Sequence, residues 1–120
     1  MLHQEETQVQ KQRLESILQK HGASAQAHID QSMQALVSET KKMLTMLKGN
    51  DLRDAGLIAS AQKLEHYEIA AYGTAAALAG QLDLRDDQKM LHESLEEERQ
   101  TDALLTKLAK GEVNRHALAA

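Results

Sequence analysis

The chain has 120 residues with 14 Lys and Arg against 18 Asp and Glu, a formal charge of −4, and neither proline nor cysteine. That length admits one small domain, the lack of cysteine excludes disulfides and thiol chemistry, and the acidic balance argues against a nucleic-acid partner held by a basic face. Ala, Leu, Gln, Glu and Lys are strong helix formers, so the fold class expected is all-α. With two tyrosines and no Phe or Trp, the core must come from Leu, Ile, Met and Ala. No basic leader precedes an apolar run, and nothing approaches the roughly 20 apolar residues of a spanning helix. The expectation is a cytoplasmic protein with no membrane partner.

In chain order, the first helix is expected over 2–20, with Leu2, Val9, Leu14, Ile17 and Leu18 apolar and Glu6, Gln10 and Arg13 on or beside the same side. Gly22 suits a C-terminal cap, because glycine enters the left-handed conformation freely. Ser24 is a candidate cap for a second helix over 25–48. Its face of Ile29, Met33, Leu36, Val37, Thr40, Met43, Leu44 and Leu47 carries no charge and reads as packing. Gly49 punctuates it, and Asn50 or Asp51 opens a third helix over 52–81. There Gly73 permits either a close neighbour or a bend. A link at 82–84 leads to a fourth helix over 85–110, whose Asp86 and Asp87 favour the positive end of the helix dipole. Residues 1–110 are read as the domain and 111–120 as a loose tail.

The third helix carries the feature of most interest. Helical periodicity puts Leu57, Ala61, Leu64, Glu65, Glu68, Tyr72, Ala75 and Ala79 in one stripe, and buried charge needs a partner or a metal. In the fourth helix Glu97, Glu98, Thr101 and Asp102 interrupt the apolar side of Met90, Leu91, Leu95, Leu104, Leu105 and Leu108. Glu6 adds a carboxylate from the first helix. Hard oxygen ligands from several helices are what a two-metal helical bundle requires, and Glu65 and Glu68, three apart, share a face. The other reading is ordinary rim acids on solvated faces, paired with Arg13, Lys63 or Arg99. His66 projects about 100° away from Glu65, as a surface, interface or ligand-supporting group. His3 precedes Glu6 by three residues. Tyr72, one turn after Glu68, stands either as a hydrogen-bond donor to a carboxylate or as a helix-contact residue. No phosphate-binding loop and no Ser-His-Asp or Cys-His arrangement is legible.

The stretch Leu57-Ile58-Ala59-Ser60-Ala61-Gln62-Lys63-Leu64-Glu65-His66-Tyr67-Glu68-Ile69-Ala70-Ala71-Tyr72-Gly73-Thr74 closely resembles the signature helix of the YciE/YciF-like family of bacterial ferritin-like proteins. The segment 91–105, with Glu96-Glu97-Glu98 and Thr101-Asp102, resembles that family's last bundle helix. His3-Gln4-Glu5-Glu6-Thr7 followed by Arg13-Leu14-Glu15 resembles its second. The resemblance implies a ferritin-like bundle with a stress-associated role and a carboxylate-rich centre of two iron or two manganese ions, oxidising Fe(II) with oxygen or peroxide. Carried over, Glu65 and Glu98 are ligands, followed by Glu6, with Glu68, Glu97 and Asp102 as further candidates and Tyr72 and His66 supporting them. It also implies that the family's first bundle helix has no counterpart here, that the second helix is a connector, and that a second copy completes the bundle as a homodimer or higher oligomer. The competing expectation is a non-catalytic, stress-associated structural oligomer that kept the bundle and lost the metal.

Overall fold

The computed structural model describes residues 2–24 and 29–119, with the side chains of 2 and 3 left aside. The described elements are all helical: α1 Leu2–Lys20, α2 Gln31–Met46, α3 Asn50–Gln81 and α4 Arg85–Leu108, then a π-helical turn Ala109–Val113 and α5 Asn114–Ala119.

The helix ends follow from local chemistry. α1 stops at Gly22, whose φ of 71° is left-handed. Gly22 N–H donates to Gln19 O at 3.0 Å and Ala23 N–H to Leu18 O at 2.8 Å, the paired bonds of a Schellman cap. The same pair of bonds closes α3, from Asp83 N–H to Gly80 O and from Leu84 N–H to Ala79 O. Here an aspartate with φ of 58° holds the glycine position.

Three features differ from the sequence reading. α2 starts at Gln31, not at 25, because Asp30 caps it: extended backbone lets its carboxylate accept from Met33 N–H at 3.0 Å. Residues 25–28 lie outside the described residues, and so does the side chain of His3. The expected tail is helical over 109–119, which suits a segment without proline, and Arg115 Nε donates to Gly111 O at 2.8 Å. Gly73 admits no close neighbour, since a Cβ built there meets nothing within 4 Å. The close approach is at Gly56, where a Cβ would lie 2.7 Å from Leu47 Cδ1 and 3.1 Å from Met43 Cε.

Contacts fall into two compact units. The first comprises Met1–His28 and Ile69–Glu97, the second Ile29–Glu68 and Glu98–Ala120. The long α3 and α4 therefore contribute to both.

The first unit has an apolar centre of Ala76, Ala79 and Leu91, with Ile17, Tyr72, Ala75 and Leu84 packed on it. Small alanines allow that approach. Around it Asp87, 2 % exposed, binds Lys20 and, at 2.6 Å, His21 Nε2. Those pairings fasten the end of α1 to the start of α4 and hold the Asp87 carboxyl below its usual range, Lys20 contributing most and His21 next.

The second unit is built differently. Its buried described residues are Gly56, Ser60, Glu65 and Glu98, while Ile29, Val37, Met46, Leu57, Leu104 and Leu108 are exposed. α2 has no buried residue, so the face read as plain packing is only partly covered. Leu57, expected in the buried stripe of α3, is 44 % exposed. Asp30 also accepts from Tyr67 Oη at 2.6 Å, fastening the start of α2 to α3.

Candidate metal centre

In the second unit, α3 supplies Glu65 and Glu68 one turn apart and α4 supplies Glu98. One oxygen from each lies within 4.8 Å of the others. Glu65 is 6 % exposed and Glu98 is 2 % exposed, and Glu68 is half-buried. The (i, i+3) spacing turns both α3 carboxylates the same way.

Three like charges in this space cannot all be ionised at neutral pH. Burial pushes Glu65 up to about 9, helped by its hydrogen bond to Glu98 and by the charges of Glu98, Glu68 and Asp102. Burial likewise pushes Glu68 up to about 8, with a hydrogen bond to Glu98 and its charge adding to the shift. Glu98 is the common partner of both. Protons thus stand where a cation would compensate the charge.

The donor set fits a hard divalent metal. It is all oxygen, drawn from two helices, on a span compatible with oxygens about 2.0–2.6 Å from a hard cation. The three carboxylates could coordinate an ion.

The remaining candidates have other surroundings. Asp102, one turn beyond Glu98, has Oδ1 at 2.9 Å from His66 Nε2 and at 3.5 Å from Gln62 Nε2. Its charge is felt at Glu65. Glu97 belongs to the first unit, where Arg13 grips it through two bonds of 2.7 and 3.1 Å. Gln10 Nε2 donates to the same carboxylate at 3.1 Å, and Arg13 donates to the buried Ser94 Oγ at 3.0 Å. The hydrogen bond to Glu97 most of all, then the charges of Glu97 and Glu93, raise the Arg13 pKa. Glu6 is half-buried on α1 in that unit and outside the three-carboxylate group. The Tyr72 hydroxyl donates to Gln10 Oε1 at 3.4 Å.

Sequence reasoning weighed Arg13 as a salt-bridge partner but missed Ser94 and the part played by Asp87. Asp87 read as an acid favoured by a helix dipole. Its only other signal was the Lys20-His21 dipeptide ending α1, which lies 66 or more residues away in the chain.

Comparison with known proteins places the chain in a family. A family model described as "Domain of unknown function (DUF892)" matches residues 1–118. Protein YciF of Escherichia coli strain K12 is 43% identical over 116 residues, which is 96% of this chain and 70% of YciF. The crystal structure of the E. coli stress protein YciF aligns with a TM-score of 0.84, covering 94% of this chain and 72% of that one. YcfI of Rhodopseudomonas palustris, provisionally described as a structural protein, aligns with a TM-score of 0.83 at 34% identity, covering 87% of this chain and 66% of its own. The all-helical fold matches the ferritin-like helical bundle of the YciF structure. Among the described residues no helix is long and apolar enough to cross a membrane. The chain belongs to this DUF892 family, the YciE/YciF-like family that the motif at 57–74 resembles.

Proposed function

We propose that the chain is a ferritin-like metal-binding protein whose Glu65, Glu68 and Glu98 hold iron or manganese, two ions per assembled site. Its reaction is the oxidation of Fe(II) by oxygen or peroxide under stress. The observation that carries this reading is the convergence of three carboxylates from two helices, two of them buried, with oxygens within 4.8 Å. Support also comes from YciF, described as a stress protein.

Each residue has a distinct part. Glu98 faces both α3 carboxylates and clasps the ion from α4. Glu65 holds it from the buried side, and Glu68 does so from the half-exposed side. In the metal-free protein Glu65 and Glu68 hold protons that would leave as a cation bound, so binding would be coupled to proton release. Iron or manganese at this position supplies one-electron redox chemistry when bound.

Two-metal bundles of the ferritin type draw ligands from four helices. We assign the rest of the ligand shell to a second copy, in a homodimer or higher oligomer; Glu6 and Asp102 are the further carboxylates available to it. Exposed Ile29, Val37, Met46, Leu104 and Leu108 give such a copy apolar surface to cover.

A second reading is favoured by a different observation. Glu97 spends its carboxylate on Arg13 and Gln10, as a structural acid does, and YcfI is provisionally described as a structural protein. A non-catalytic oligomer with no metal follows from that. Elemental analysis after anaerobic Fe(II) or Mn(II) loading, on protein of known mass by light scattering, separates the two. The metal reading expects about two ions per assembled site, lost together in Glu65→Ala. A folded oligomer that retains none leaves the structural reading.

A further inference from the structure

In the second unit α2 is fastened to α3 near both of its ends. Before its first turn Asp30 accepts from Tyr67 Oη at 2.6 Å. At its far end Met43 and Leu47 lie over Gly56. A Cβ built on that glycine would stand 3.1 Å from Met43 Cε, 3.4 Å from Met43 Sγ and 2.7 Å from Leu47 Cδ1. Gly56 is buried and Met43 is half-buried. The backbone ties the same two α2 residues together, because Leu47 N–H closes the helix on Met43 O at 3.1 Å. No residue of α2 is itself buried, so little apolar area backs this contact up when it weakens.

The side chain at that contact is an oxidisable one. Of the five methionines in the chain, Met33, Met43 and Met46 stand on α2. A thioether packs well because it is flexible and polarisable, and peroxides convert it to a sulfoxide. In that step a sulfur lone pair attacks one peroxide oxygen, and the S–O bond forms as the O–O bond breaks. The departing hydroxide takes the proton from the transferred oxygen and leaves as water. Sulfur loses two electrons and hydrogen peroxide gains them. The sulfoxide is polar and chiral, and it costs free energy against an apolar surface that offers no hydrogen-bond donor. Met43 is open enough for a small oxidant and close enough to Gly56 for the product to be felt. Gly56 has no side chain that could rearrange around the new oxygen. Met46, 69% exposed, has little packing to lose by the same change.

We propose that Met43 is an oxidation site at which hydrogen peroxide, by forming the sulfoxide, loosens the end of α2 from α3. The change is reversible, since sulfoxide reductases return the thioether. Peroxide acts here directly on sulfur, so the site stands whether or not Glu65, Glu68 and Glu98 hold a metal.

The test treats the full chain, kept metal-free by chelator, with hydrogen peroxide. Peptide mass spectrometry follows oxygen addition at each methionine, and hydrogen exchange follows the α2 amides. Oxidation of Met43 is expected to speed exchange at 43–47 by about tenfold, and methionine sulfoxide reductases A and B together are expected to reverse it. Met43→Leu, which keeps an apolar side chain of similar size, is expected to hold its protection through the same exposure. Met46→Leu is expected to lose it as the wild type does. A Met43 that remains a thioether when Met46 is fully converted overturns the proposal. So does a sulfoxide at Met43 with exchange unchanged, and so does a folded Met43→Leu chain that loses protection as the wild type does. Formation and reversal of the sulfoxide are both read on wild-type protein, so the test holds even where the Met43→Leu chain fails to fold.

Discussion

Glu65 on α3 and Glu98 on α4 are joined by a hydrogen bond between their carboxyl groups, so one of the two carries a proton while the site holds no metal. Glu65 is raised to about 9 and Glu68 to about 8, both above their ordinary 4.5. An acid raised on folding contributes stability that is complete below its unfolded pKa and disappears as pH rises through the folded one. Metal-free protein is therefore expected to lose thermal stability steadily from about pH 5 to pH 9. Glu65→Gln, which keeps a hydrogen-bonding group without a titrating one, is expected to flatten that dependence. Melting curves across this range, with and without chelator, measure it.

The grip of Arg13 on Glu97 predicts a second result. Both bonds are short and the Arg13 side chain is 17% exposed, so deleting the guanidinium strands a half-buried carboxylate. Arg13→Ala is expected to cost about 2–3 kcal/mol. Removing both charges in Arg13→Leu with Glu97→Leu is expected to restore much of it. Urea denaturation of the two single variants and the pair tests the coupling.

Glycines at helix-interior positions divide by what surrounds them. A Cβ at Gly73 meets nothing within 4 Å, whereas at Gly56 it meets Leu47 Cδ1 at 2.7 Å. Gly73→Ala is expected to stabilise by about 0.5–1 kcal/mol through helix propensity. Gly56→Ala is expected to gain less or to lose, because Leu47 must move. The difference between their denaturation midpoints is the measurement.

Asp30 both caps α2 and accepts from Tyr67. Asp30→Ala is expected to cost about 1–2 kcal/mol, and Tyr67→Phe to destabilise less, because its hydrogen bond is exposed to solvent. Hydrogen exchange should show faster amide exchange at the start of α2 in the first variant.

Much of this was legible in the sequence. Helix formers without proline gave four long helices, Gly22 marked the end of α1, and the stripe on α3 isolated Glu65 and Glu68. The start of α2 was not legible, because residues 25–30 are as helix-compatible as those that follow and only Asp30's backbone shows that it is the cap. Nor was the division of labour between Glu97 and Glu98. Adjacent residues on a helix point about 100° apart, so one turns to Arg13 and the other to Glu65. Periodicity shows that divergence, but it does not say which neighbour stands in each direction. Partners separated by 84 positions, such as Arg13 and Glu97, leave no local pattern.

The central claim is that Glu65, Glu68 and Glu98 are metal ligands. Crystals soaked anaerobically in Fe(II) or Mn(II), with anomalous diffraction at the matching absorption edge, address it most directly. The account predicts an anomalous peak among these three side chains, about 2.0–2.6 Å from an oxygen of each, with the Glu65–Glu98 hydrogen bond replaced by metal bonds. An intact Glu65–Glu98 hydrogen bond with no peak between the two residues, in crystals soaked to saturation, would contradict it.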